Sequence, residues 1–200
     1  FYVPPAEAVR NSLLYGAAAV ALAVGMGFPA AYALAGRSRA GRGLDLLLTL
    51  PLGASAVTLG LGYLVAFDRP PLDVRSFPLL IPIAHSLVAL PFVVRTLQPA
   101  ITSIPPSLRQ AAAVLGASPG RVWREIDLPL LRRAALVGAV FAFTISLGEF
   151  GATTMLARPD MPTLPVAIAG FLGQPGALNY GQAMAMATIL MLTCAAGVLL

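Results

Sequence analysis

Residues 105–129, PPSLRQAAAVLGASPGRVWREIDLP, form the longest polar interruption in an otherwise apolar chain. The first half is rich in alanine, the strongest helix former, so we predict a short helix that ends before Gly116. Gly116 suits the left-handed position just beyond a helix C-terminus. Ser118 and Pro119 then fit the N-cap and the first position of a second helix, which we expect to run to about Ile126. The stretch therefore predicts a helix–turn–helix loop between two apolar segments.

The sequence on both sides of this loop has the composition of a membrane protein. Hydrophobic residues make up 58% of the chain and charged residues only 10%, whereas soluble domains carry about 25% charged residues. Several apolar stretches approach the roughly 20 residues that a helix needs to cross a bilayer. They are residues 11–35, 44–67, 77–94, 134–153 and 181–200. We therefore predict an all-α fold, a polytopic membrane helical bundle of about five transmembrane helices, as one domain over residues 1–200.

The arginines predict the orientation of the bundle. The formal net charge is +5, and the arginines concentrate in residues 37–42 and 95–133, beside apolar spans. The positive-inside rule places both segments, and with them the polar loop, in the cytoplasm. This clustering beside spans argues against nucleic acid as a partner. Residues 68–76 and 157–180 then face outside, where the short apolar run 166–172 is expected to lie in the interface or to re-enter the membrane.

The two ends of the chain lead to an expectation about its extent. With this orientation the N-terminus starts outside, yet residues 1–7 lack the basic start of a signal peptide. The chain also stops within an apolar run. We expect a fragment of a longer protein with at least one span missing upstream.

The spacing within the polar loop resembles one family. Gln110-Ala111-Ala112 is followed after three residues by Gly116, and after nine more by Ile126-Asp127-Leu128-Pro129. The loop resembles the EAA loop, E-A-A-x3-G-x9-I-x-L-P, in the permease subunits of binding-protein-dependent type I ABC importers. The resemblance implies that permease fold and a cytoplasmic coupling helix that docks on an ABC ATPase dimer. The residues that it assigns to ATPase coupling are Gln110, Ala111, Ala112, Gly116, Arg121, Ile126, Leu128 and Pro129. Gln110 departs from the family's glutamate, and its amide forms hydrogen bonds but no ion pair.

A second resemblance covers the end of the chain. The run Ser146-Leu147-Gly148-Glu149-Phe150-Gly151, followed by Thr163-Leu164-Pro165, resembles the end of the permease core in ferric-iron, thiamine, molybdate and sulfate systems. Residues 157–160, ARPD, favour the iron/thiamine group. Because its two permease halves are often fused, the chain is expected to be the C-terminal half of a longer or fused permease.

The family implies the partners, the location and the substrates of such a permease. The partners are a second permease half, an extracytoplasmic substrate-binding protein and the lipid bilayer. The location is the plasma (inner) membrane of a bacterium or archaeon. Ferric iron or thiamine is the leading substrate, with molybdate, sulfate or a polyamine as the alternative.

A few polar residues inside or beside the apolar spans are candidates for the translocation pathway or gate. Glu149 lies near the outer end of the fourth span with Phe150 and Gly151, and an intramembrane carboxylate faces protein or a water-filled cavity. Its alternative role is a hydrated carboxylate, or one bonded to a neighbouring helix. His85 is a further pathway candidate, and because it lacks a cluster of other ligands, an interhelical hydrogen bond is favoured over metal binding or proton relay. Trp123 is either a docking-surface aromatic or part of an interfacial belt.

Two ion pairs follow from sequence spacing. Arg121 and Glu125 lie four residues apart in the second loop helix and are expected to pair. Asp45, just inside the second span, is expected to pair with Arg42 or Arg39.

Motifs that the sequence lacks bear on catalysis. It has no G-x-x-x-x-G-K-[ST] P-loop, no H-E-x-x-H and no G-x-S-x-G. We therefore expect no catalytic residue, cofactor or metal site, and ATP hydrolysis in a partner subunit. Two other classes stay open: an ion-coupled secondary transporter, which needs paired carboxylates or matching broken helices, and a membrane scaffold without a pathway.

Overall fold

A computed structural model describes residues 4–36, 39–66, 77, 79–156 and 161–199, with the side chains of residues 39 and 40 left out. The predictions for residues 68–76, for the run 157–160 and for the Arg39 side chain lie outside the described residues. Within them, every regular element is helical, which confirms the all-α prediction. The elements are α1 Pro5–Ala35, α2 Arg39–Gly53, α3 Ala56–Ala66, α4 Leu80–Ser103, α5 Pro106–Val114, α6 Pro119–Val122, a π-helical turn Trp123–Asp127, α7 Leu128–Gly148, α8 Gly151–Leu156, α9 Leu164–Leu172 and α10 Ala177–Leu199.

The number of helices long enough to cross a membrane agrees with the predicted bundle of about five spans. In the described part of the chain, four helical stretches have the necessary length and apolar composition: Pro5–Ala35, Leu80–Ser103, Pro119–Gly148 and Ala177–Leu199. The bent pair α2 and α3 makes a fifth if the two helices together form one span.

The second span, predicted over residues 44–67, is not one continuous helix in the described residues. The chain bends by 107° between α2 and α3. Pro51 lies in the last turn of α2, where it removes a backbone donor and crowds the preceding turn, and Gly53 then ends the helix. A run of apolar residues does not reveal such a break.

The third span is longer than predicted. It was expected over residues 77–94, but α4 begins at Leu80 and continues to Ser103. Arg95 lies within the helix, and its Nη2 donates to Oδ1 of Asp45 over 2.9 Å, with both side chains about half exposed. The described partner of Asp45 is therefore Arg95 and not the predicted Arg42, while the alternative Arg39 side chain lies outside the described residues. The partner of Asp45 comes from a helix distant in sequence, which spacing along the chain could not indicate.

The core of the bundle is formed by α1, α4 and α7, which pack closely at small residues. A Cβ atom on Gly27 of α1 would lie 2.6 Å from Val93 Cγ1, and one on Gly138 of α7 would lie 2.9 Å from Thr96 Oγ1. Val93 and Leu97 of α4 are completely buried at these contacts. The small residues let the helices approach without unfilled space, as is usual between membrane helices.

The second loop helix and the fourth span form one helical stretch, Pro119–Gly148. We expected the loop helix to end near Ile126, but the chain only widens into the π turn, where the Leu128 N–H donates to the Trp123 carbonyl. Pro129 explains the widening, because in a regular helix its ring would crowd the carbonyl of Glu125 and it has no N–H to donate. The span ends at Gly148, five residues before the predicted end at residue 153.

The two ends of α1 contact different parts of the chain. Near its N-terminus, the Leu164 N–H donates to Ser12 Oγ over 2.8 Å, and Asn11 Nδ2 donates to the Pro162 carbonyl over 3.2 Å. Near its C-terminus, Tyr32 contacts the polar loop. The segment that leads into α9 and the polar loop therefore lie at opposite ends of α1.

Candidate functional site

The turn between α5 and α6 has the geometry that the sequence predicts. Gly116 has φ of +81°. The Ala117 N–H donates to the Ala112 carbonyl over 3.0 Å, and the Gly116 N–H donates to the Ala113 carbonyl over 3.0 Å. This pair of hydrogen bonds is a Schellman motif, which satisfies the last carbonyls of α5 and turns the chain sharply.

Ser118 occupies the predicted N-cap position of the second helix. Its backbone is extended, with φ of −68° and ψ of 156°. Its carbonyl accepts hydrogen bonds from the N–H groups of Arg121 and Val122 at 2.9 and 3.0 Å. Its hydroxyl makes no capping hydrogen bond, so the position was predicted correctly but the side-chain role was not.

Most of the residues that the resemblance assigns to coupling lie on the surface of the loop. The exposed ones are Gln110, Ala111, Gly116, Arg121 and Pro129, and the half-buried ones are Ala112, Ile126 and Leu128. At the turn, Val114 and Leu115 each expose 87% of their surface. Sequence reasoning missed these two residues, although large apolar side chains beside a turn glycine in a polar loop are a usable signal. The loop thus presents an apolar tip flanked by small and polar residues.

The predicted pair of Arg121 and Glu125 is confirmed. Arg121 Nε lies 3.0 Å from Glu125 Oε1, and both side chains are more than half exposed. An exposed pair of this kind contributes little to stability. Its charges are therefore available to a partner.

A buried network that sequence reasoning missed connects the loop to α1. The Asp127 side chain is almost completely buried. Arg109 Nε of α5 donates to its Oδ1 over 2.9 Å, and the Tyr32 hydroxyl of α1 donates to its Oδ2 over 3.0 Å. The hydrogen bond to Asp127 raises the pKa of Arg109 above its ordinary value, so the guanidinium stays charged. The signal was hidden because the three residues lie far apart in sequence.

Trp123 makes a second contact between the same two elements. Its ring lies edge-on to Phe28 of α1, with centroids 6.5 Å apart and planes at 73°. Such edge-to-face pairs are favourable beyond the area that they bury. Trp123 still exposes 40% of its surface.

The pathway candidates meet at an elbow, residues 146–153, where α7 ends and α8 begins. His85 of α4 is buried there, with Nδ1 2.7 Å from Ser146 Oγ and Nε2 2.7 Å from Thr153 Oγ1. The Thr153 hydroxyl donates its proton to the Glu149 carbonyl. The same hydroxyl therefore accepts a hydrogen bond from His85 Nε2–H, and the unprotonated Nδ1 accepts one from the Ser146 hydroxyl. This confirms the hydrogen-bonding interpretation of His85. The histidine joins both sides of the elbow to α4.

Glu149 lies at the break between the two helices and not inside the fourth span. Its Oε1 accepts the Ala152 N–H over 2.8 Å and so caps the start of α8. Phe150 is 43% exposed beside it. A Cβ atom on Gly151 would lie 3.0 Å from the backbone nitrogen of Val57, so α8 approaches α3 closely.

A metal ion held by the described residues would need a cluster of acidic and metal-ligating side chains. Among those residues, no three or more His, Cys, Asp or Glu side chains lie close enough together to hold a metal ion.

The number of long apolar helices in the described residues indicates a multi-pass membrane protein. Residues 19–200 match the family described as binding-protein-dependent transport system inner membrane component. The chain belongs to this family, and the predicted permease fold is confirmed.

Three relatives show what the chain is similar to. Molybdenum transport system permease protein ModB of Mycobacterium tuberculosis is 37% identical over 75% of this chain and 61% of its own length. Putative 2-aminoethylphosphonate transport system permease protein PhnV of Salmonella typhimurium is 34% identical over 62% of this chain and 47% of its own. Probable sulfate transport system permease protein cysT of Anthoceros angustus is 31% identical over 78% of this chain and 57% of its own. The chain therefore spans about half to three fifths of the length of these relatives.

Proposed function

We propose that this chain forms half of the translocation pathway of an ATP-driven, binding-protein-dependent importer. The loop 105–129 docks on a cytoplasmic ABC ATPase dimer, a second permease half completes the pathway, and an extracytoplasmic binding protein delivers the substrate. The chain lies in the plasma membrane of a bacterium or archaeon. The observation that carries this proposal is the exposed helix–turn–helix loop with the EAA-like spacing, in a chain of the binding-protein-dependent family.

The surface of the loop suits a docking role. Val114 and Leu115 each expose 87% of their surface, although valine and leucine side chains are often fully buried. The left-handed backbone of Gly116 makes the turn between Leu115 and Ser118 tight. Ala111 and Gly116 lack bulky side chains, so a partner backbone can approach closely. The tip therefore enters a groove on the ATPase, whose closure then moves the loop.

For the substrate, the relatives favour the alternative, which includes molybdate and sulfate, over the leading expectation of ferric iron or thiamine. Ferric iron and thiamine were suggested by short motifs near residues 157–165, and the four residues 157–160 lie outside the described structure. The names of the relatives concern molybdenum, 2-aminoethylphosphonate and sulfate. We propose an oxyanion such as molybdate or sulfate as the substrate.

The docking proposal is tested by crosslinking in the full transporter. Cys194 is replaced by alanine, and one cysteine is introduced at Leu115, at the exposed tip of the loop. A maleimide that carries a photoreactive benzophenone is attached to this cysteine, and irradiation should then join the permease to the ATPase subunit, because benzophenone inserts into nearby C–H bonds. The matched control is Leu178→Cys, which is 76% exposed in the first turn of α10. Absence of a crosslink from Leu115, or equal crosslinking from Leu178, would overturn the proposal.

The energy source and substrate are tested in proteoliposomes that contain the binding protein. Uptake of radiolabelled molybdate should require ATP and should survive collapse of the proton gradient. Uptake that needs the gradient and not ATP would favour the secondary transporter. ATP-driven uptake of ferric iron or thiamine, without molybdate or sulfate, would restore the first expectation.

A further inference from the structure

We propose that Asp127 is a positioning residue that latches the coupling loop to α1, so that movement of the loop reaches α1 directly as well as α7. The latch consists of Asp127, Arg109, Tyr32, Trp123 and Phe28. The inference rests on the proposed function, because it describes how a docked ATPase would move the bundle.

The first argument is the way in which the Asp127 carboxylate is satisfied. It is 5% exposed, and its two oxygens are bound by different elements, Oδ1 by Arg109 of α5 and Oδ2 by Tyr32 of α1. Removing either partner would leave a buried charge incompletely compensated, which is strongly unfavourable. The carboxylate therefore holds α5 and α1 in one arrangement.

The second argument is that the π turn contacts α1 at two points. Trp123 contacts Phe28, and Asp127 contacts Tyr32. The contact residues are four positions apart on each element, which is about one turn of a regular helix. A single contact would act as a pivot, whereas two contacts one turn apart also resist rotation of the loop against α1.

The third argument is that α5 has few buried contacts with the rest of the bundle apart from the Arg109–Asp127 pair. None of its residues, Pro106–Val114, is fully buried. Arg109 is half-buried and reaches back across the loop to Asp127, 18 residues later in sequence. A displacement of α5 is therefore passed to the bundle through this side chain as well as through the connecting backbone.

The fourth argument is the position of the π turn itself. It lies between the loop and α7, and it starts at Trp123 and ends at Asp127. A π turn interrupts the regular hydrogen-bond ladder and is a place where a helix bends. Trp123 and Asp127, at the two ends of the π turn, both contact α1. These contacts keep the turn from bending, so that a movement of the loop is passed on to α7 and α1.

The test measures whether the loop and α1 move together in the full transporter. Spin labels are placed at two exposed sites, Leu115 on the loop and Leu14 on α1, in the Cys194→Ala background. Their distance is measured without nucleotide and after trapping with MgATP and orthovanadate. Without further substitution, the distance distribution should stay the same on trapping, while the distance from Leu115 to a label on the binding protein changes.

Breaking the latch should uncouple the two sites. In Asp127→Asn, trapping should shift or broaden the distance between Leu115 and Leu14 by about 1–5 Å, from the scale of a small helix shift up to that of one helical turn. Tyr32→Phe removes only one hydroxyl, so it should change the distance between the labels at Leu115 and Leu14 by less, in the same direction. Arg109→Gln combined with Asp127→Asn should change the distance little beyond the effect of Asp127→Asn alone, because both substitutions break the same network.

The matched control breaks a similar ion pair elsewhere. Asp45→Asn removes the 2.9 Å contact to Arg95, which lies between α2 and α4, and it should leave the distance distribution unchanged on trapping. If Asp127→Asn and Tyr32→Phe both behave like Asp45→Asn, the latch is refuted. If trapping changes no distance even without these substitutions, or the ATPase does not bind, then the proposed function has failed instead.

Discussion

Gly60 of α3 and Ala152 of α8 bring two short helices into backbone contact. A Cβ atom on Gly60 would lie 2.8 Å from the Ala152 Cα and 3.0 Å from its carbonyl oxygen. Because backbone atoms cannot swing aside as a flexible side chain does, this contact requires glycine. It fixes α3 against α8, the helix that follows the elbow.

Replacing Gly60 with alanine should therefore destabilise the bundle. The added methyl group forces α3 and α8 apart, and overpacking of this kind costs about 1–3 kcal/mol. The measurement is the unfolding temperature of the purified protein in detergent. The control is Gly62→Ala on the same helix, where a Cβ atom meets nothing within 4 Å. Equal unfolding temperatures for the two variants would contradict the contact.

Replacing His85 with phenylalanine should destabilise the elbow. Phenylalanine has no hydrogen-bonding atom, so the buried Ser146 hydroxyl loses its partner and the Thr153 hydroxyl keeps only its bond to the Glu149 carbonyl. An unsatisfied buried group costs about 1–3 kcal/mol. Thermal unfolding in detergent measures the loss. The neighbouring Ser86→Ala is the control, since the Ser86 hydroxyl donates to the Ile83 carbonyl of its own helix. An equal effect of both substitutions would argue against the bridging role.

Replacing Gly116 with valine should impair transport through the backbone of the turn. A Cβ atom there meets nothing within 4 Å, so the effect comes from the left-handed conformation, which costs L residues about 1–2 kcal/mol. ATP-driven uptake should fall, while the external protein still binds substrate. Gly116→Asn is the control, because asparagine tolerates this conformation and should retain most of the uptake. Full uptake with valine would show that the turn geometry is unnecessary.

Replacing Ser12 with alanine should loosen α9. The Leu164 N–H loses its buried acceptor, at a cost of about 1–3 kcal/mol. Hydrogen–deuterium exchange should become faster in residues 164–172 than in the rest of the protein. Ser103→Ala provides the comparison, because that exposed hydroxyl donates to the Ala100 carbonyl of its own helix. Unchanged exchange in α9 would mean that Ser12 does not hold it.

Local sequence patterns were sufficient for most of the polar loop, residues 105–129. Alanine propensity, the glycine at a C′ position and the serine–proline start each depend on near neighbours. The helix α5, the left-handed conformation of Gly116 and the start of α6 were therefore predicted correctly. The end of the second helix was not, because the π turn lets the chain continue through Pro129. Hydrophobicity located the spans but not their breaks, as the bend after Gly53 shows.

The amino-acid sequence by itself determined a helical membrane bundle with a polar helix–turn–helix loop, because bilayer solvation and backbone propensity act on short stretches of chain. Only the tertiary structure decided which polar groups satisfy one another. Asp127 with Arg109 and Tyr32, and His85 with Ser146 and Thr153, are brought together by helix packing across long separations in sequence. Buried polar groups must find hydrogen-bond partners, but which partners they find depends on the positions of the helices in space.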